Sequence, residues 1–184
     1  INRILGEDRL IVSDIPGTTR DAINARYERE GTAYTFVDTA GMRKKSKIND
    51  KIEKYSILRA YQAIEKADVC LMVIDGTAGV TEQDTKVAGY AHDQGKGIIV
   101  VINKWDIVEK ETSTMNNYKK KVLEGLPFMM YAPCMFISAK TGARVDKLFD
   151  MINHVHQQQN LRIKTGMLND ILAEATAKVQ PPTD

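Results

Sequence analysis

Two stretches of the chain, DVCLMVID at 68–75 and GIIVVINK at 97–104, run almost unbroken through apolar residues and stop on polar ones. A strand with one face in water alternates apolar and polar residues; a strand that lacks the alternation needs cover on both faces. A parallel sheet between two layers of helices supplies that cover. YTFVD at 34–38 has the same character, and CMFIS at 134–138 is a shorter example. Between these runs lie segments with apolar residues at helical spacing: 50–66, where Ile57, Leu58, Tyr61 and Ile64 recur, then 81–93, 115–125 and 143–157. Strands alternating with helices predict an α/β protein with a doubly wound, mostly parallel sheet. The stretch ARYEREGTAYTFVD alternates on either side of Glu30 and Gly31, which predicts a hairpin and hence one antiparallel edge strand.

With 184 residues, 43% of them hydrophobic, the chain can bury one sizeable core. Lys plus Arg number 26 against 24 Asp plus Glu, a formal charge of +2. That is too small to draw nucleic acid by bulk electrostatics, so any RNA contact has to be local. Cys70 and Cys134 sit inside apolar runs without metal-like spacing and read as reduced structural residues. His92, His154 and His156 form no metal pattern with them and are expected at the surface. No apolar run is long enough to span a membrane and no signal-peptide pattern opens the chain, so the expectation is a soluble, cytoplasmic chain with no membrane partner.

Ligands of such sheets bind beyond the carboxyl ends of the strands, which turns attention to the loops DTAG, DGTAG, NKWD and SAK. In NKWD, the Asp106 carboxylate can accept hydrogen bonds from the N1–H and exocyclic amine of guanine. Adenine, with an acceptor at N1 and no amine, would leave the carboxylate unpaired. The methylene stem of Lys104 can lie along the base, and Asn103 can either brace the neighbouring loop or reach the base edge. Trp105 is expected to pack beneath this loop. The backbone N–H groups of Ser138, Ala139 and Lys140 can meet the guanine O6, completing a base pocket. Asp38, at the end of a strand, suits a magnesium ion reached through water. Gly41 lets the backbone approach a terminal phosphate, and Thr18 or Thr19 of DIPGTTRD can offer a hydroxyl to the metal.

In that order, DIPGTTRD, DTAGMRKK, NKWD and SAK resemble the motifs of translation-factor-related GTPases. More narrowly, YSILRAYQAIEKADVCLMVIDGTAGVTEQD, GYAHDQGK and NKWD resemble the second GTPase domain of the bacterial tandem GTPases of ribosome assembly, in the TrmE–Era–EngA-like group. The resemblance covers nearly the whole chain. It implies a P-loop NTPase-like three-layer fold, GTP and GDP as ligands with Mg2+, and the large ribosomal subunit and its RNA as partners. It also implies an upstream GTPase domain and a downstream KH-like domain. By the same resemblance Thr19, in preference to Thr18, belongs to the first switch and the magnesium shell. Asp38 and Gly41 belong to the second switch, Thr19 and Gly41 serve the reaction, and Asn103, Lys104 and Asp106 read the base. Ser138, Ala139 and Lys140 form the supporting loop.

Two features depart from that pattern. No GxxxxGKS/T loop is present, although in the family it lies just before a segment like INRILGE, where this chain starts. The expectation is a GTPase domain over 1–158 lacking its first strand and phosphate loop, binding nucleotide poorly and not hydrolysing it alone. Second, Met42 follows Gly41 where Ras-like enzymes place a water-orienting glutamine. A thioether cannot align that water, so the resemblance implies slow hydrolysis stimulated by a partner or by K+. The run Arg43, Lys44, Lys45 and Lys47 reads either as a solvated loop or as a contact to ribosomal RNA phosphates. After a polar exit at QQQNLRIK, Leu168, Ile171, Leu172, Ala175 and Val179 share one helical face. Residues 159–184 are accordingly expected to be a linker and a helix, and the resemblance implies that this helix is the first of a KH-like domain. The alternatives left open are a non-catalytic guanine-nucleotide-sensing module that binds RNA or the ribosome, and a tRNA-modifying GTPase.

Overall fold

The computed structural model describes residues 2–5, 23–38, 50–108 and 114–178. In chain order the elements are α1 (Asn2–Leu5), β1 (Ile23–Arg29), β2 (Thr32–Asp38), α2 (Asp50–Lys66), β3 (Val69–Asp75), α3 (Glu82–Asp93), β4 (Gly97–Asn103), α4 (Thr114–Gly125), β5 (Cys134–Phe136), α5 (Lys147–Gln159) and α6 (Thr165–Lys178). Strands β3, β4 and β5 form a parallel sheet in that order, with Asp75 opposite Asn103 and Ile102 opposite Phe136. The α/β class and the parallel sheet are as expected.

Every residue of β4 from Gly97 to Ile102 is buried, which is the physical content of its unbroken apolar run. Ile98, Val100 and Ile102 face a core made with Ile64 of α2, Val87, Ala88 and Ala91 of α3, Val122 of α4, and Trp105, Leu126, Met129 and Phe136. Ile99 and Val101 face the other way, against Leu148 of α5, with Ile137 and Val145. The sheet therefore has helices on both sides, the three-layer arrangement. Each aliphatic side chain taken out of water here contributes about 1.5–3 kcal/mol. Cys70 and Cys134 are half-buried against the first of these cores, and burial pushes each thiol up to about 11, so both stay protonated at neutral pH.

The hairpin turns at Glu30 and Gly31, both with positive φ (51° and 75°), the conformation that matches the twist of two antiparallel strands. Its ladder runs from Ile23 opposite Asp38 to Arg29 opposite Thr32. It forms a two-stranded sheet of its own, with no ladder to β3 among the described residues. Side chains dock it onto α5: Tyr27 stacks on Phe149 at 5.3 Å and Tyr34 meets the same ring edge-on at 5.1 Å. The Tyr34 hydroxyl donates to Asn153 Oδ1 at 2.9 Å.

Helix α3 has both ends specified locally. Thr81 and Asp84 cap its start reciprocally, each side chain accepting from the other's backbone N–H. At its end Gly95, at φ +64°, donates to the His92 carbonyl while Lys96 N–H reaches back to Ala91. Helix α5 begins at Lys147, four residues later than its apolar spacing predicts, because 139–146 is taken up by turns with Gly142 and Arg144 at positive φ (82° and 61°). Beyond α5, residues 161–164 are exposed and lead into α6, none of whose residues is buried; Met167, Leu168, Ile171 and Leu172 are all largely solvent-facing. Among the described residues, no helix is long and apolar enough to cross a membrane.

Candidate functional site

The parallel sheet delivers three loops to one edge: 76–80 after β3, 104–108 after β4, and 137–142 after β5. The latter two are stapled together. Ile137 N–H donates to the Ile102 carbonyl at 2.8 Å, Trp105 N–H donates to the Ile137 carbonyl at 3.1 Å, and Ala139 N–H donates to Asn103 Oδ1 at 2.9 Å. Of the two roles open to Asn103, the structure shows the brace: its side chain carries the Ala139 amide, the donor assigned from sequence to the base. Lys104 leaves the strand at φ +63°, a left-handed conformation uncommon outside glycine, so the chain turns sharply at the motif itself. Trp105 is 6% exposed, with its ring 4.4 Å from Phe136 and 5.4 Å from Tyr118; it supports the loop from below, as expected. Asp106 follows, half-buried, with Oδ1 enclosed by protein.

Ser138 is 1% exposed and shapes its loop from inside. Its Oγ accepts from Thr141 N–H at 3.1 Å, its carbonyl accepts from Gly142 N–H at 2.8 Å, and its own N–H donates to the Ala143 carbonyl. Ala139 and Lys140 lie exposed at the tip.

Asp75 is the residue of this edge to which sequence reasoning gave no role. Its Oδ2 holds the Lys104 ammonium at 2.8 Å, and its Oδ1 accepts from both the N–H and the hydroxyl of Thr77. The DGTAG loop was marked by its position after a strand, but the pairing with Lys104 exists only because β3 and β4 lie in register. Gly76 belongs to the same contact: its N–H donates to the Asn103 carbonyl at 2.8 Å, and a Cβ there would stand 2.8 Å from that oxygen.

Burial alone would raise the Asp75 carboxyl, but the Lys104 ammonium and the two Thr77 donors outweigh it and hold the group well below the usual carboxylate range. A depressed folded-state value means that the unfolded chain binds more protons below about pH 4. The stabilisation is therefore complete above that pH and is lost as pH falls through the folded value. Asp75→Asn is expected to cost about 1.5–3 kcal/mol at pH 7 and to flatten the acid limb of the stability curve. Urea unfolding from pH 7 to pH 3 measures the cost and the onset of the flattened limb.

Asn103, Lys104, Asp106, Ser138, Ala139 and Lys140 are thus brought together on one edge. Asp38 closes β2, in the other sheet, paired through its backbone with Ile23. Thr18, Thr19 and Gly41 lie outside the described residues, as do Met42 and the basic run that follows it. An open cavity of about 220 Å³ lies beside the site, between the 76–80 turn and α4, lined by Thr77, Gly79, Val80, Tyr118 and Lys121. None of Asn103, Lys104, Asp106, Ser138, Ala139 and Lys140 lines it, so the cavity is a neighbour of their loops.

A three-layer α/β fold with an Asn-Lys-Trp-Asp loop at the carboxyl edge of its parallel sheet is the architecture of a GTPase domain. Residues 1–104 match the model of the family described as 50S ribosome-binding GTPase, and the chain belongs to that family. It is 63% identical to GTPase Der of Acetivibrio thermocellus and 61% identical to GTPase Der of Ruminiclostridium cellulolyticum, in both cases over all of this chain and 42% of the relative. The chain thus spans well under half the length of these relatives. Among solved structures it resembles Era in complex with MgGDPNP and nucleotides 1506–1542 of 16S ribosomal RNA (TM-score 0.70, 29% identity, 82% of this chain and 49% of that one). It also resembles an Aquifex aeolicus Era variant bound to GDP and AlF4− (TM-score 0.69, 29% identity, 82% of this chain and 50% of that one).

Proposed function

We propose that this chain forms the base-reading body of a GTPase that binds and hydrolyses GTP as a switch in assembly of the large ribosomal subunit. The observation that carries the reading is the staple between the two edge loops. Asn103 fixes Ala139, Lys104 is anchored on Asp75, and Asp106 stands two residues further on in the same turn. In this reading Asp106 accepts from guanine N1–H and its amine, and the anchored stem of Lys104 lies along the base. The 138–140 loop meets O6, the Ala139 amide exchanging its bond to Asn103 for the base.

Thr19 and Asp38 would hold Mg2+, which when bound neutralises phosphate charge. Gly41 would give its N–H to the terminal phosphate. With Met42 in the water-positioning place, hydrolysis is slow until a partner or K+ assists. Ribosomal RNA as partner is supported by the family and by the RNA complex of Era. In this reading 1–158 is the GTPase unit, and α6, exposed on every side, opens a following KH-like unit.

The test is fluorescent GDP binding, competed by GTP and ATP, on this chain and on the full coding sequence that contains it. The longer form is expected to bind guanine nucleotides selectively and to hydrolyse GTP faster in KCl than in NaCl; this chain alone is expected to bind weakly. Guanine-selective binding by the longer form without hydrolysis would leave the non-catalytic sensing module as the better description, and failure of both forms to bind would remove both readings.

A further inference from the structure

We propose that Arg3 is a positioning residue for the loop at 138–142 and thereby sets how long a guanine nucleotide stays bound; the second clause rests on the function proposed above. Arg3 stands on α1, whose neighbouring residue Ile4 packs against the core formed by Ile99, Val101, Ile137, Val145 and Leu148. From that anchor the guanidinium reaches a residue 138 positions away in sequence, Nη2 donating to the Thr141 carbonyl at 3.1 Å.

It also lies across Gly142. A Cβ on that glycine would stand 2.5 Å from Nη2, 2.7 Å from Nε and 3.0 Å from Cζ. Gly142 is at φ +82°, a backbone conformation that disfavours side chains, and a Cβ there would push the flexible end of Arg3 off the loop.

The contact is placed to control the base-facing amides. Thr141 donates its N–H to Ser138 Oγ, Gly142 donates to the Ser138 carbonyl, and Ala139 is tied to Asn103. Ser138 and Asn103 restrain the loop from the ends of β5 and β4, and Arg3 adds a restraint from α1. When the Ala139 amide turns to a base, its tie to Asn103 is given up. The restraints that remain on the loop then include the Ser138 bonds and the Arg3 clamp. Arginine suits this place because one planar group both donates to a carbonyl and covers a glycine; lysine retains the donor and loses the plane.

The test uses Arg3→Met, which keeps the apolar stem and removes the donors, and Arg3→Lys, in the full coding sequence that contains this chain. Amide hydrogen exchange at 139–143 is followed without nucleotide, and fluorescent GDP association and dissociation are followed separately. Arg3→Met is expected to speed exchange at 139–143 and to raise the GDP dissociation rate roughly three- to tenfold, the scale of one exposed hydrogen bond. Association and the thermal midpoint should hardly move, and Arg3→Lys should recover part of the loss. Unchanged exchange at 139–143 overturns the clamp. Faster exchange with unchanged GDP dissociation overturns the link to residence time. If the unsubstituted protein binds no guanine nucleotide, the parent reading fails, and the exchange measurement still decides whether Arg3 holds the loop.

Discussion

Asp106→Ala is expected to lower guanine nucleotide affinity by about a hundredfold to ten-thousandfold. The carboxylate is the one acceptor in the motif able to take both guanine donors, and a hydrogen bond to a charged group is worth about 1.5–3 kcal/mol. Asp106→Asn makes a sharper distinction. An amide presents one acceptor and one donor, so it matches one guanine donor and opposes the other. Xanthine has a carbonyl where guanine has the amine, and it becomes the complementary base. Competition of fluorescent GDP by GDP, xanthosine diphosphate and ADP separates the cases: preference should move from guanine toward xanthine, with ADP excluded throughout. Undiminished GDP binding by Asp106→Ala would remove NKWD from the base site. The thermal midpoint of the variant, measured alongside, separates a lost contact from a lost fold.

Trp105→Ala is expected to cost about 3–5 kcal/mol of folding stability, the range for deleting a large buried aromatic. A domain of this kind is stable by about 5–15 kcal/mol in total, so the variant loses a large share of its stability margin. The expected fall in thermal midpoint is about 6–20 °C. Loss of nucleotide binding should accompany it, since the indole ring supports the loop on Phe136 and Tyr118, although the backbone N–H that joins residue 105 to the Ile137 carbonyl is retained. Trp105→Phe refills part of the space and should retain most of the stability. Far-ultraviolet circular dichroism in urea is the measurement, because Trp105 is the chain's single tryptophan and fluorescence disappears with it. In the unsubstituted protein that fluorescence is a direct probe of the 104–108 loop. A cost below about 1 kcal/mol, the range of ordinary surface changes, would show that the indole is not the support the geometry indicates.

The main strands and helices were legible because burial on two faces leaves an unbroken apolar run and burial on one helical face leaves a period. Residues 97–102 are the clearest case, apolar throughout and buried throughout. Helix α2 coincides with its expected span, 50–66. The start of α5 was less legible, since Arg144 holds a positive φ that no residue preference announces. The hairpin was visible in its alternation and at Gly31, but its place in a separate sheet was not, because alternation specifies a pair of strands and not their neighbours. In the site, the side-chain types of Asn103, Lys104, Asp106 and Ser138 and their place after strands showed in the sequence. Which of two roles Asn103 takes did not, because the choice depends on where Ala139 stands.

By itself the sequence determined the α/β class, the hairpin, the order of the main strands and helices, and the polar loops at the strand ends. These follow from patterns spanning a few residues, where local periodicity and side-chain chemistry suffice. Only the tertiary structure decided that Asp75 anchors Lys104, that Asn103 holds Ala139, and that Arg3 covers Gly142. Those pairs lie far apart along the chain. Their meeting depends on strand order, on register and on where α1 packs, and hydrogen bonds and ion pairs are decided over distances of about 3 Å that no local pattern encodes.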